Sequence, residues 1–434
     1  MDSHTSDGDA AALGQRVRRR LVPFLFLLYI VSYLDRINVG FAALQMNQAL
    51  GFSAATFGLG AGIFFLSYVA FEIPSNVILA RVGARLWIAR IMISWGLVSA
   101  GMMFVRGTGA FFALRFLLGA AEAGFFPGII FYLTRWIPPS DRARTVAQFM
   151  AASLIAGVIG GPLSGALLGL DGRYGLAGWQ WLFLVEGLPS VLLGLAVLAF
   201  LDDGPDTAAW MSPADRDLLA AQMTRESVDD GRAAHTVSGA LRSPTIWLLA
   251  VVYFSIPVAL YAIGFWLPQI VKSGFGVNAF QVGVLSAIPY VVGSITMVVT
   301  ARHSDRTGER RWHVALGAII GGLAFAASAL TTNPVMALVL LSVAMAGLAS
   351  MFGPFWTLAT SFVRGVGAAG GIALINSVGN IGGFVGPSVV GYLRDTTHSF
   401  SAGLMAVGAM MAIAGMLVLF AEDRSRATAP AARA

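Results

Sequence analysis

Apolar residues in this chain fall in long unbroken runs, with neither the alternation of a barrel strand nor the half-polar face of a soluble helix. A helix crossing about 30 Å of hydrocarbon needs about 20 mostly apolar residues. Twelve runs reach that length: roughly 21–45, 54–80, 86–105, 109–135, 144–169 and 180–201, then 245–271, 279–301, 312–331, 334–361, 368–393 and 400–421. In lipid only helices and closed barrels satisfy their own backbone groups, so the runs are predicted to be helices, numbered here as spans 1 to 12. The first follows Arg16, Arg18, Arg19 and Arg20 as a secretory leader would. It is too long for one, holds Asp35-Arg36, and precedes eleven more spans. A single long hydrophilic stretch divides the spans six and six. The predicted organisation is a tail 1–20, a six-helix bundle 21–201, a central loop 202–243, a second bundle 244–421 and a tail 422–434.

Composition sharpens the reading. Of 434 residues, 57% are hydrophobic and 12% charged, against about 25% charged in an average soluble domain. That excludes a soluble enzyme, a disordered tail protein and a nucleic-acid-binding module. The net charge of +6 is a matter of topology. Only Arg106, Arg173, Lys272 and Arg394 fall in the connections after odd-numbered spans, and Arg36 and Arg115 lie inside spans. The rest of the 28 Lys+Arg sit at the termini and in the connections after even-numbered spans, Arg364 among them. Basic residues accumulate on the cytoplasmic side, which predicts cytoplasmic termini in a bacterial-type inner membrane. With no cysteine there is no disulfide framework, thiolate metal site or cysteine nucleophile. No metal or organic cofactor is expected, and the expected partners are the lipid bilayer and a small substrate, with the chain a monomer.

The two halves repeat. Span 5 holds Gly157-x-x-x-Gly161-Pro162-x-x-Gly165 and span 11 holds Gly382-x-x-x-Gly386-Pro387, followed by Gly391, with the Gly-Pro pairs 225 residues apart. At the same offset the loop Arg81-Val82-Gly83-Ala84-Arg85 matches Asp305-Arg306-Thr307-Gly308-Glu309-Arg310-Arg311, although the first copy lacks the acidic residue. Parallel duplication about an axis along the membrane normal is one of the recurring transporter architectures. On these motifs the chain resembles a transporter of the major facilitator superfamily over essentially its whole length. The resemblance implies an all-α fold of two pseudo-symmetric six-helix bundles, with Gly83, Arg85, Asp305, Arg306, Gly308, Arg310 and Arg311, and the pairs Gly161-Pro162 and Gly386-Pro387, serving conformational change.

Six ionisable residues fall inside spans: Asp35 and Arg36, Glu72, Arg115 and Glu122, and Glu186. Each costs about 2.5–3.5 kcal/mol at mid-bilayer on insertion scales, so each needs a reason, either a substrate or ion pathway or structural pairing such as Asp35 with Arg115. Asp35 and Arg36 point about 100° apart on a helix, whereas Arg115 and Glu122, two turns apart, share a face. The second half has no counterpart charge and offers Tyr253, Tyr261, Trp266, Trp356, Asn376 and Asn380. Guanidinium groups match a carboxylate bidentately and stay charged at any working pH, so two buried arginines predict an anionic ligand. Buried carboxylates beside them suggest proton coupling, with sodium as the alternative ion. All five histidines lie in loops, tails or span ends, which leaves Asp35 and Glu122 as the coupling acids.

Further strings narrow the resemblance. Tyr33-Leu34-Asp35-Arg36-Ile37-Asn38, Arg115 to Gly124 followed by Phe126-Pro127-Gly128, Gly353-Pro354-Phe355-Trp356 and Asn376-Ser377-Val378-Gly379-Asn380 resemble the anion:cation symporter family of permeases for phthalate, tartrate, hydroxyphenylacetate and sugar acids. This implies substrate-carboxylate binding by Arg36 with Arg115 close by, coupling through Asp35 and Glu122, and a cavity lined by Tyr33, Tyr68, Trp356 and Asn376. Tyr261, Asn380 and Ser153 complete the expected binding set. Ser153 stands where sugar-acid members carry glutamine, and Gly353 and Phe355 replace hydroxyl positions beside Trp356. A polyol needs a partner for each desolvated hydroxyl, so the substitutions favour an aromatic or compact carboxylate over a sugar acid.

The expected function is proton-coupled import of a small organic anion by alternating access. Co-moving protons offset the cost of bringing an anion in against an inside-negative potential, about 2.3 kcal/mol per charge per 100 mV. The rivals are sugar-acid symport, antiport with efflux, and a non-transporting sensor on the same fold. An enzyme is not expected, since no Ser/His or Cys/His pair lies within the spans.

Overall fold

The computed structural model describes residues 3–228, 242–362 and 366–421. Arg232, His235, Arg364 and the predicted tail 422–434 with its arginines lie outside the described residues. Every regular element among the described residues is a helix, and twelve are long and apolar enough to cross a membrane, from Asp9–Leu50 to Ser401–Phe420. The architecture is all-α, two pseudo-symmetric six-helix bundles. Its surface is inverted relative to a soluble protein: Ile73, Leu192, Ile295 and Leu323 are among many exposed large apolar side chains, while serines and all six intramembrane ionisable residues are buried.

Local sequence fixes where the spans start and stop. Span 2 (Ala54–Val82) opens on Ser53, whose hydroxyl accepts from the Thr56 N–H at 3.1 Å. At the same register of the second half, span 8 (Ala279–Thr307) opens on Asn278, which accepts from the Gln281 N–H at 2.9 Å. These caps satisfy donors left free at a helix start, and their 225-residue spacing carries the duplication into the termini.

Three spans depart from the continuous runs read from sequence; the run 144–169 of span 5 is divided at Ala151 into helices Pro139–Met150 and Ala152–Leu168. Span 1 begins earlier, because its helix runs Ser3–Leu50 and most of the predicted tail 1–20 belongs to it. Leu13, Val17, Leu21, Leu25 and Leu28 recur every three to four residues and are buried, a stripe that the interspersed arginines hide from averaged hydropathy. Arg16 meets Asp215 at 2.6 Å and Arg18 meets Asp141. Asp215 belongs to a helix Pro213–Val228 within the central loop. Span 4 is broken: Thr108–Glu122 and Phe125–Trp136 are separate helices. The joint is Gly124, at φ 87°, where its backbone also lies so close to Ser75 that a Cβ would fall 2.3 Å from the Ser75 hydroxyl oxygen. Glycine alone occupies such a site without strain. Discontinuous helices in membranes are tolerated where they line a cavity or are buried in protein.

Spans 1 and 7 (Pro244–Phe275) are the most enclosed and cross at the centre. The halves also meet through span 2 against span 11 (Gly370–Thr397) and span 5 against span 8. These contacts are tightest at the end away from the termini. A Cβ on Gly161 would sit 2.4 Å from the Gly283 carbonyl oxygen, and one on Gly58 equally close to that of Pro387. At the same end Asp395 of span 11 accepts from the Ala54 and Ala55 N–H groups of span 2 at 2.9 and 2.8 Å.

Candidate functional site

Arg36 stands at the junction of the halves. One guanidinium nitrogen bonds the Glu122 carboxylate, and another donates to the Tyr261 hydroxyl at 3.0 Å. Tyr261 lies 225 residues on, so the duplicated positions of span 1 and span 7 face each other across the pseudo-symmetry axis, one charged and one neutral. Glu122 is the last residue before the break in span 4 and also accepts from the Ser32 hydroxyl at 2.9 Å. The Arg36 guanidinium lies 5.4 Å from the ring centres of both Phe64 and Tyr68. It is therefore a cation held by one carboxylate, one phenol and two aromatic faces, an arrangement in which its hydrocarbon-facing sides are covered by cation–π contact.

Its neighbour Asp35 faces the other way. Its oxygens accept from Trp95 Nε1 at 2.9 Å, the Ser99 hydroxyl at 2.8 Å and the Ser190 hydroxyl at 2.6 Å. The divergence expected of adjacent helical residues is what the structure has: Arg36 points to the junction, Asp35 to spans 3 and 6. The alternative pairing of Asp35 with Arg115 is absent, because the two side chains point to different helices. Arg115 is 1% exposed and donates to the Ala61 carbonyl at 2.8 Å, with a longer 3.4 Å contact to that of Gly60. Its guanidinium lies 5.0 Å from the Phe64 ring, which is thus flanked by both arginines. In this conformation Arg115 braces span 2 and the Phe64 ring, and the junction itself holds one guanidinium.

A second polar bridge was not foreseen from sequence. Glu72 of span 2 accepts from the Asn376 amide of span 11 at 3.1 Å, and Asn380 also faces it. The two amides share a face, as their spacing predicts, and that face meets a carboxylate of the opposite half. The remaining expected lining residues scatter around these bridges. Tyr68 covers Arg36. Tyr33 is buried with Leu34, Ile37 and Ala156 in a small apolar cluster. Trp356 packs against Tyr253 at 4.9 Å between ring centres. Ser153, half-buried, donates to the Met150 carbonyl at the end of the preceding helix Pro139–Met150. Among the predicted site residues the structure therefore brings Arg36, Glu122, Tyr68 and Tyr261 together, sets Asn376 and Asn380 on Glu72, and leaves Asp35, Arg115, Tyr33 and Ser153 facing other neighbours.

The duplicated loops anchor the last helix of each half. Arg85 bonds the Leu198 carbonyl near the end of span 6, and the Asp203 carboxylate accepts from the Arg85 N–H at 2.8 Å beside Gly83. Asp203, just beyond the end of span 6, supplies the acid that the first loop lacks. In the second copy Gly308 takes φ 67° to end span 8, Asp305 pairs with Arg310 at 2.7 Å, Arg306 is exposed, and Arg311 reaches the Leu419 and Ala421 carbonyls of span 12. Of the Gly-Pro pairs, Gly161-Pro162 lies at the contact with span 8. Gly386 packs on the Val258 backbone of span 7, and the Pro387 carbonyl accepts from Trp266 Nε1 at 3.3 Å.

Twelve spans in two duplicated bundles, with the buried pair Arg36–Glu122 where the bundles meet, define a multi-pass membrane transporter. The chain belongs to the Major Facilitator Superfamily, whose family model matches residues 25–387. It is 50% identical over 96% of its length, and 92% of the relative's, to an Agrobacterium vitis protein named "Putative tartrate transporter". It is 42% identical over 90% of its length, and 91% of the relative's, to an Acinetobacter baumannii protein named "Quinolone resistance transporter". Among solved structures, a bacterial homologue of the human lysosomal transporter Spinster, inward-facing and unoccupied, matches with TM-score 0.76 at 18% identity, covering 94% of this chain and 97% of that one.

Proposed function

We propose that the protein is a proton-coupled symporter that imports a small organic anion, a compact or aromatic carboxylate such as tartrate or phthalate, across a bacterial inner membrane by alternating access, with both termini in the cytoplasm. The observation that carries this reading is the single guanidinium of Arg36, 8% exposed, at the junction of the halves and already paired with Glu122. One guanidinium fork is matched by one carboxylate. A substrate carboxylate competes with Glu122 for Arg36, and protonation of Glu122 withdraws the competitor. Substrate and proton then bind together, which is the thermodynamic requirement of symport. Tyr261 presents its hydroxyl to the same guanidinium from the other half, so a ligand seated there touches both bundles. The Agrobacterium relative's name supports a dicarboxylate, and the departures at Ser153, Gly353 and Phe355 favour a ligand with few hydroxyls. Asp35, with three donors and no cation, serves as a second coupling acid.

The test is uptake of labelled tartrate and phthalate into vesicles reconstituted with purified protein, with and without an inward proton gradient. Gradient-driven accumulation that disappears in Arg36→Ala is the expected result. Accumulation indifferent to the gradient, or retained in Arg36→Ala, refutes the reading. The Acinetobacter relative's name favours a second reading, export of a drug-like compound, and the same vesicles distinguish it by the direction of coupled movement.

A further inference from the structure

Glu186 of span 6 (Gly178–Phe200) takes no part in the junction, yet it is 3% exposed in the interior of the first bundle. Like Glu72, it is a buried acid with one carboxylate oxygen left without a hydrogen-bond partner. One oxygen accepts from the Ser164 hydroxyl of span 5 at 2.8 Å, and the other, Oε2, has no hydrogen-bond partner. Asp35, by comparison, takes three donors, and Glu122 takes Arg36 and Ser32. Facing Glu186 from span 1 is Asn38, 1% exposed, whose amide oxygen and nitrogen both lack a well-formed hydrogen bond. The charged group that bears on Glu186 is Asp35, a like charge one turn from Asn38 along span 1. Glu186 Oε2 and the Asn38 amide, atoms without hydrogen-bond partners, thus meet in a buried interior where an unsatisfied polar group costs free energy and an uncompensated carboxylate costs far more.

A single proton resolves the arrangement. With Oε2 protonated, its O–H donates to Asn38 Oδ1, and the acid and the amide oxygen gain partners together. With the proton gone, rotation of the amide turns Nδ2 toward the carboxylate as a donor. An amide carries both a donor and an acceptor, so it serves either protonation state, which an alcohol-free apolar residue or a lysine does not. We propose that Glu186 and Asn38, with Ser164 holding the second oxygen, form a proton-binding site in the first bundle, separate from Arg36–Glu122 and on the side of span 1 that carries Asp35. Its use in transport rests on the proton-coupled reading above, whereas its occupancy by a proton does not.

The experiment is infrared difference spectroscopy of the purified full-length protein in lipid, titrated in pH without substrate, reading the C=O stretch of protonated carboxylic acids. A carboxylic-acid band present in the wild type, retained in Glu122→Gln and missing in Glu186→Gln is the expected result. In Asn38→Leu the band persists at higher frequency, because its hydrogen-bond acceptor is gone, a shift that a purely structural Glu186 does not produce. A wild-type spectrum from which Glu186→Gln removes nothing at any pH overturns the site, as does a band that sodium abolishes at fixed pH, which reassigns the pocket to an alkali cation. Proteoliposomes that show no gradient-driven uptake while this band is intact refute symport and leave the site standing.

Discussion

Asp395→Ala loosens the end of the molecule away from the termini. Asp395 sits on span 11 and accepts two backbone N–H groups at the start of span 2, at 2.9 and 2.8 Å, so it ties one bundle to the other through a helix N-terminus. Those N–H groups have no partner inside their own helix, and a charged acceptor there adds a favourable interaction with the helix dipole. Hydrogen bonds to a charged group contribute about 1.5–3 kcal/mol when buried. Asp395 is part-buried, so solvent screening brings the expected total down to about 1–2 kcal/mol. The bonds exist only while that end is shut. Losing them therefore shifts the equilibrium toward opening by roughly 5- to 30-fold. The chain's lack of cysteine makes the measurement clean. Ser388→Cys places a lone thiol on span 11 beside Gly58 of span 2, where the serine hydroxyl lies 3.4 Å from the Gly58 carbonyl oxygen. Maleimide labelling of that thiol in purified protein should accelerate about tenfold when Asp395→Ala is added, and the difference should shrink at high salt because the interaction is partly exposed. Asp395→Asn, which keeps an acceptor and loses the charge, should fall between. Equal labelling rates with and without Asp395→Ala refute the idea that this carboxylate holds the end closed.

Three further outcomes follow from the junction. Glu122→Gln keeps the Ser32 contact but removes the carboxylate that the proposed function sets against the substrate for Arg36, so substrate exchange across vesicles should persist while pH-driven accumulation fails; full accumulation removes Glu122 from coupling. Arg36→Lys keeps the charge but cannot hold Glu122 and Tyr261 with a planar fork, so substrate affinity by equilibrium binding should drop by at least tenfold, and unchanged binding contradicts the bidentate reading. Tyr261→Phe removes one hydrogen bond between the halves, about 1 kcal/mol, and should weaken substrate binding about fivefold with the thermal unfolding midpoint nearly unchanged.

How much of this was legible in the sequence depends on the range of each interaction. The spans were, because twenty apolar residues in a row announce themselves locally, and the duplication was, because Gly161-Pro162 and Gly386-Pro387 keep a fixed offset. The opposed directions of Asp35 and Arg36 followed from helical geometry alone, although which one faced the junction did not. The break in span 4 was hidden because Gly119-Ala120-Ala121-Glu122-Ala123-Gly124 reads equally as a close-packed helix, and only the backbone reveals Gly124 in a left-handed conformation. Glu72 with Asn376 was missed because the partners are 304 residues apart, and no local pattern pairs a lone carboxylate with a distant amide. The spacing of Arg115 from Glu122 puts both on one face, but it does not say what the guanidinium meets. In this structure its donors go to the carbonyls of Gly60 and Ala61, which closely packed small residues leave within reach. The early start of span 1 escaped because arginines between Leu13, Val17 and Leu21 mask a buried stripe.

The asymmetry of the charges has a consequence for movement. The ion pair of the junction, Arg36 with Glu122, lies wholly within the first bundle, so it travels with that bundle and need not break when the halves separate. What crosses between the halves at the centre is a neutral hydroxyl on Tyr261 and, nearer the terminal end, the amides of Asn376 and Asn380 on Glu72. Net hydrogen bonds of this kind are worth about 1–3 kcal/mol each, whereas removing one partner of a buried ion pair costs about 3–5 kcal/mol. An interface built from a cross-bundle salt bridge would hold the halves in one state. One built from phenol and amide partners to charges owned by a single bundle can be exchanged at little net cost, as the proposed replacement of Glu122 on Arg36 by a substrate carboxylate requires. On the proposed function, the duplicated positions Arg36 and Tyr261 differ in charge for a physical reason: the charge would recognise the ligand, and the neutral copy would let the bundle that carries it move.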